Sequence, residues 1–412
     1  MNSASDTPGT VSRRGFVTTA SMLGLGAAGV VAAPAAVAAP DGAPLRGRPD
    51  LAETSAGWVR GRRNDGIGAF LGIPYGGSTG GANRFRPPTA PTPWRGIRDA
   101  TGYGHVAPQP LPGARLDYTL LIDWLNQPGG QDEDCLVLNV WTPQTGGGAR
   151  RPVLVSFHGG GFSTGSGNHR GFDGDPLARF GDVVVVTVNH RLGLLGFLHL
   201  ADLGAPAEWA TSGVNGMLDA VAALRWVRDN IANFGGDPNN VLVFGQSGGG
   251  AKTSTLLAMP SARGLLHRAA VQSGPTLTLA SRETGTQNAS RLLARLGLST
   301  NRITDLRTVP VQILVAAQAA LEAGTPAAQF TPVVDGAAIP TDPFAPGASE
   351  VSRNVPMIIS TTRDEGTAFA GNADLTEAGL LTAVQNLAGA ANAATVIAAY
   401  RDAYPDAAPA LL

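Results

Sequence analysis

Two glycine-rich stretches of the 412-residue chain carry residue types that could do covalent chemistry. The first is Gly245-Gln246-Ser247-Gly248-Gly249, directly after the run Val241 to Phe244 and before a segment, Gly250 to Met259, that reads as a helix. A serine between a strand and a helix must occupy a tight, strained turn, and glycines two positions either side let the two elements pass without a Cβ clash. Its hydroxyl then projects at the C-terminal edge of a sheet beside a helix N-terminus, where developing negative charge is favoured. The second stretch is His158-Gly159-Gly160-Gly161-Phe162, after the run Val153 to Phe157. Consecutive glycines let several backbone N–H groups converge on one point, so the Gly160, Gly161 and Gly248 amides form a candidate oxyanion hole for a tetrahedral intermediate made at Ser247. The competing reading of these glycines is a flexible surface loop, which their position after a buried strand disfavours.

A phosphate-binding loop is excluded at the same place. Such a loop needs a glycine immediately before its lysine and another five residues earlier, whereas Lys252 follows Ala251 and the earlier position is Gln246. No G-x-G-x-x-G loop opens a helix after any strand either, so nucleotide chemistry is not expected.

These residues need a framework, and the sequence describes one. Apolar, β-branched runs at Leu136 to Trp141, Val153 to Phe157, Val183 to Val188, Val241 to Phe244, Ala269 to Val271 and Pro356 to Ile359 read as strands buried on both faces. Between the third and fourth, Leu218, Val221, Leu224, Val227, Ile231 and Phe234 recur every three or four residues, predicting an amphipathic helix over Gly216 to Phe234. Strands alternating with helices predict a mostly parallel sheet covered on both faces, an α/β fold. Ala39 to about Pro93 is turn-rich, with short extended pieces such as Ala69 to Pro74 and little helix. The Ala-rich stretch Leu375 to Tyr400 predicts one or two helices, with Asp374 and Glu377 spaced as a capping box and Pro405 as the stop.

Composition sets limits. With 30 Lys+Arg against 31 Asp+Glu the net charge is -1, so neither nucleic acid nor an anionic membrane is an expected partner. Cys135 has no partner for a disulfide and reads as buried filler. The N-terminus, Ser12-Arg13-Arg14-Gly15-Phe16-Val17, leads into an uncharged apolar stretch ending in Ala36-Val37-Ala38. That pattern predicts a twin-arginine signal peptide over residues 1–38, with export machinery as its partner and a secreted destination. Residues 39–412 then form one domain, with no later apolar run approaching the roughly 20 residues that span a bilayer.

The chain resembles the type-B carboxylesterase family, the α/β-hydrolases that include para-nitrobenzyl esterases and cholinesterases. The resemblance rests on Phe234-Gly235-Gly236 through Gly245-Gln246-Ser247-Gly248-Gly249 and on Glu133-Asp134-Cys135-Leu136-Val137-Leu138-Asn139-Val140. Supporting stretches such as Phe70 to Tyr75, Asn189 to Leu198 and Phe330 to Gly336 extend it over about residues 50–370. It implies an α/β-hydrolase fold, hydrolysis of small-molecule esters through an acyl-enzyme on Ser247, and no metal or cofactor. It also implies a glutamate acid in a loop after a late strand, which points to Glu365 in Arg363-Asp364-Glu365-Gly366, with Asp364 and Asp335 as weaker candidates. Gln246 stands where the family often has glutamate, Gly248 where alanine is common, and His190 where tyrosine is usual. Trp124, Phe162 and Phe197 line the substrate pocket or pack in the core.

One departure bears on activity. Triads on this fold run serine, acid, histidine in chain order, yet His105, His158, His169, His190, His199 and His267 all precede Glu365, and only 47 residues follow it. No β-rich run follows Pro356 to Ile359, so the last strand and the histidine loop are expected to be missing. Three readings follow: a C-terminally incomplete esterase with impaired turnover, an esterase using His158 or His169 as a substitute base, and a noncatalytic esterase-like binding protein.

Overall fold

The computed structural model describes residue 45 and residues 47–110, 127–146, 148–325, 329–363, 365 and 374–411. The proposed signal segment, Trp124 and Asp364 lie outside the described residues.

The chain enters through Leu51–Thr54 (β1) and Gly57–Arg60 (β2), an antiparallel pair, followed by Arg62–Asn64 (β3) and Ile67–Pro74 (β4). Asp65 and Gly66, with φ of 43° and 85°, turn β3 back onto β4 as a two-residue hairpin in register Asn64 to Ile67. Positive φ at both turn residues matches the right-handed twist of the flanking strands. Ile97–Asp99 (β5) pairs in parallel with β2, completing a three-stranded sheet. The stretch expected to be irregular, Ala39 to about Pro93, therefore carries four strands, β1 to β4. Gly68 and Gly72 interrupt the β-branched pattern of β4, and that is why only part of it reads as extended.

The main sheet adds Val137–Thr142 (β6), Arg151–Phe157 (β7), Val184–Val188 (β8), Gly236–Gln246 (β9), Arg268–Gln272 (β10) and Met357–Ser360 (β11). Its eight strands run β11-β10-β9-β7-β8-β6-β4-β3. The five strands from β11 to β8 are mutually parallel, while β6, β4 and β3 join antiparallel, so the sheet is mixed rather than mostly parallel. All six strand expectations coincide with observed strands to within a few residues. The last is not buried on both faces: β11 is the outermost strand and leaves Ile358 68% and Ile359 51% exposed.

Side chains alternate across a strand, so the two apolar clusters lie on opposite faces. Val184, Val186 and Val188 point into the larger one, whereas Val185, Trp141 and Ala69 point into the smaller. Asp175–Gly181 (α1) covers the smaller cluster through Ala178. After the short Gly193–Phe197 (α2), Asn215–Asn230 (α3) seats Met217, Val221, Leu224 and Val227 in the larger cluster. A 3-10 turn over Ile231–Phe234 continues α3 and ends at Gly235 with φ of 79°, reproducing the expected apolar stripe. Gly248–Leu256 (α4) begins two residues earlier than the sequence suggested. Arg282–Arg295 (α5) and Val311–Gly324 (α6) were not anticipated.

The C-terminal region forms Glu377–Ala388 (α7) and Ala390–Ala403 (α8), parted by Gly389 and ending before Pro405. The expected capping box at Asp374 is replaced by a cap two residues later. Thr376 adopts extended dihedrals and its Oγ1 accepts from the Gly379 amide at 3.2 Å, because Glu377 is the first helical residue rather than the third.

Two ion pairs fasten loops to this framework. Arg84 grips Glu133 through Nε at 2.6 Å and Nη2 at 2.7 Å, tying the segment after β4 to the approach to β6. In the interior, Arg191 meets Asp219 of α3 through Nε at 2.8 Å and Nη2 at 2.6 Å. Cys135 is buried, and burial pushes its thiol far up, so it packs as an apolar group.

Candidate active site

Four neighbouring strands deliver the site to one edge of the sheet. In sheet order, β7 leads into the glycine loop, β9 into Ser247, β10 into Ser273, and β11 into the loop holding Glu365.

Ser247 sits between β9 and α4 with φ of 56° and ψ of -124°, a conformation that bulky residues avoid and that a crowded turn imposes. The crowding is measurable. A Cβ on Gly245 would stand 2.4 Å from the Gly249 carbonyl carbon, and one on Gly249 only 2.0 Å from the Phe157 oxygen. Both flanking glycines are thus required for strand and helix to cross. The Ser247 amide donates to the Gln272 carbonyl at 2.8 Å, its carbonyl accepts from Ala251 N–H at 3.0 Å, and the residue is half-buried. Its hydroxyl has no hydrogen-bond partner among the described residues.

The glycine loop faces this serine. Gly160 and Gly161 have φ of 85° and 59°, which only glycine adopts without strain. The Gly159 carbonyl is held by His158 Nδ1 at 2.8 Å, and the Gly160 carbonyl by Thr164 N–H at 3.0 Å and Oγ1 at 3.2 Å. In a trans peptide the N–H points opposite to the carbonyl, so these anchors turn the Gly160 and Gly161 amides the other way. Among the described residues no protein acceptor takes the Gly160, Gly161 or Gly248 N–H. Gly248 abuts this loop so closely that a Cβ there would stand 2.4 Å from Gly161 N.

Glu365 lies in the loop after β11, its Oε1 accepting from Thr362 N–H at 2.9 Å. A hydrogen bond from the Ser273 side chain and this amide hold its carboxyl below the usual range, so it is ionised at neutral pH. Ser273, with φ of 52°, adjoins Gln272, whose carbonyl holds the Ser247 amide. Sequence reasoning passed over Ser273 and Gly274, although Gln272-Ser273-Gly274 ends a strand just as Gln246-Ser247-Gly248 does. Asp335 is spent on a local turn, accepting from the Ala337 and Ile339 amides at 3.0 and 2.8 Å.

Five of the histidines are engaged elsewhere. His105 Nδ1 meets the Gly129 carbonyl at 2.6 Å, His199 Nε2 meets Asp202 at 2.8 Å, and His267 Nδ1 accepts from Val241 N–H at 3.2 Å. His158 stacks on His190 with centroids 5.1 Å apart, and His169 is buried. No hydrogen bond joins His105, His158, His190, His199 or His267 to Ser247 or Glu365. Phe162 and Phe197 pack edge to face at 5.2 Å within the core.

The stacked pair has a pH consequence. Burial, reinforced by the Lys252 charge, depresses both imidazoles, His190 to about 3. Unfolded histidine titrates near 6.5, so between those values the unfolded chain binds protons that the native chain refuses. Stability is then complete above about pH 6.5 and is lost as pH falls toward 3. His190 is expected to remove up to about 1.4 kcal/mol per pH unit across that window, and His158 acts in the same direction. Urea unfolding at pH 7.5 and pH 5 checks this, and an unchanged midpoint in His190→Phe relative to wild type at both values would count against it.

With the geometry in place, comparison with known proteins is decisive. Residues 48–407 match the model of the Carboxylesterase family. The chain belongs to that family. It is 39% identical over 323 residues to the para-nitrobenzyl esterase of Bacillus subtilis (strain 168), covering 77% of this chain and 63% of the relative. It is 39% identical over 334 residues to the phenmedipham hydrolase of Pseudarthrobacter oxydans, covering 77% and 62%. Among solved structures, the carboxylesterase EST55 of Geobacillus stearothermophilus superposes with a TM-score of 0.71 at 37% identity, covering 82% of this chain and 67% of that one. This carboxylesterase-family chain thus spans about three fifths of the length of the curated relatives it matches. The fold is that of the α/β-hydrolases, with a mixed central sheet.

Proposed function

We propose that the protein is a serine carboxylesterase in which Ser247 is the nucleophile, the Gly160, Gly161 and Gly248 amides form the oxyanion hole, and Glu365 is the acid. The observation that carries this reading is the half-buried Ser247 on a strained strand-to-helix turn, facing glycine amides that no acceptor takes among the described residues. Ser247 Oγ attacks the ester carbonyl carbon, the carbonyl oxygen becomes an anion held by the three amides, and the alcohol leaves. Water then cleaves the Ser247 acyl ester and frees the acid. Both steps need a base to take the attacking proton and return it to the leaving oxygen. A histidine oriented by Glu365 fills that role on this fold, and among the described residues His105, His158, His190, His199 and His267 make their hydrogen bonds elsewhere.

Imidazole in solution supplies the missing group. With p-nitrophenyl butyrate as substrate, added imidazole is expected to raise turnover above the imidazole-only background in the wild-type chain and not in Ser247→Ala. Equal rates in the two would remove the nucleophile assignment and leave the noncatalytic binding reading. We propose further that residues 1–38 direct twin-arginine export, which R13K/R14K should block. Normal release of that variant into the medium would show the segment to be something else.

A further inference from the structure

Lys252 is a buried charged residue at this site that the acyl-transfer mechanism leaves without a task. It lies five residues after Ser247 on α4 and is fully buried, with no carboxylate in salt-bridge reach among the described residues. An ammonium in the first turns of a helix opposes the helix dipole, and a buried unpaired charge is costly, so its position needs a compensating partner. Its partners are all in the glycine loop: Nζ donates to the His158 carbonyl at 2.9 Å and the Gly161 carbonyl at 2.8 Å, and lies 5.7 Å from the centre of the Phe162 ring.

These two carbonyls bracket the oxyanion donors. Lys252 holds the peptide before Gly159 and the peptide after Gly161, while His158 Nδ1 and Thr164 hold the two between. Each of the four successive carbonyls from His158 to Gly161 therefore has a donor, and the direction of each intervening N–H is fixed. We propose that Lys252 is a positioning residue that clamps the oxyanion loop from behind, keeping the Gly160 and Gly161 amides aimed at the oxygen made at Ser247. In its protonated form, below about pH 7, Lys252 also adds a positive potential behind the loop. Burial lowers Lys252 to about 7, and its charge in turn helps keep His158 and His190 neutral. A neutral His158 can carry its proton on Nδ1, as its bond to the Gly159 carbonyl requires.

The proposal rests on the esterase reading above, and phenylboronic acid separates the two. The Ser247 oxygen forms a bond to boron, its proton goes to solvent, and the tetrahedral anion places a boron hydroxyl oxygen in the oxyanion hole. Boron NMR reports the change from trigonal to tetrahedral. Lys252→Met is expected to weaken boronate binding about tenfold or more, in line with the loss of part of an oxyanion hole. In imidazole-assisted hydrolysis it should lower kcat by a similar factor at unchanged KM, and Lys252→Arg should recover part of both. If Ser247→Ala binds boronate as tightly as wild type, the esterase reading fails. If Ser247→Ala loses binding while Lys252→Met retains wild-type affinity and kcat, the Lys252 proposal fails and the esterase reading stands. Should Lys252→Met not fold, Lys252→Gln takes its place with the same two comparisons.

Discussion

Without added base, the 412-residue chain is expected to hydrolyse a short-chain aryl ester about a millionfold more slowly than a serine hydrolase with a complete triad. The magnitude follows from how triads fail: removing the histidine alone costs about 10⁶ in kcat, nearly as much as removing the whole triad. What survives is the contribution of the oxyanion hole and substrate binding, about 10³ to 10⁴ over water. The physical cause is visible in the site. The Ser247 hydroxyl lacks a partner among the described residues, and His158, one of the two upstream candidates for a substitute base, has its Nδ1 turned onto its own Gly159 carbonyl. Initial rates on p-nitrophenyl butyrate at pH 8 measure this directly. Ordinary esterase rates from the purified chain would show that a base reaches Ser247 after all, and Ala substitution at His158 and at His169 would then identify it.

The largest stability effect is expected at Asp219. It is fully buried and accepts from the Arg191 amide at 3.1 Å as well as from Nε and Nη2. Arg191 also donates through Nη1 to the Arg86 carbonyl at 2.6 Å, so the pair joins the β8 exit, α3 and the segment after β4. Asp219→Ala leaves the guanidinium buried without its counter-charge, and the cost is about 3–5 kcal/mol. The double replacement Arg191→Met with Asp219→Leu removes both desolvated charges and is expected to unfold at a urea midpoint near or above wild type. A single mutant that loses less than about 1 kcal/mol would mean that water or another acceptor reaches Arg191.

How much of this was legible in sequence depended on whether the constraint was local. Gly245 announces its purpose because strand, serine and helix are contiguous and the clash its Cβ would cause is with Gly249 across that same turn. The six strand runs likewise declare themselves by β-branched composition, although the last, β11, is exposed. The β3–β4 hairpin was overlooked although Asp65-Gly66 is a strong turn signal, since Gly68 and Gly72 dilute the apolar pattern beyond it. Lys252 is the opposite case: it enters the sequence argument only as a failed phosphate-loop lysine, because the carbonyls it holds lie 94 and 91 residues upstream. Nothing in its neighbours reveals that partnership. The cap at Thr376 was missed for a subtler reason: Asp374 has the spacing of a box, and only the dihedrals at Thr376 decide where the helix begins.

The outer strand β11 has a practical side. Among the described residues no strand pairs with its outer edge, and an open edge flanked by the exposed Ile358 and Ile359 is a template for extended polypeptide. A lysine in place of Ile358 is the change expected to blunt that edge and reduce association between copies of the chain.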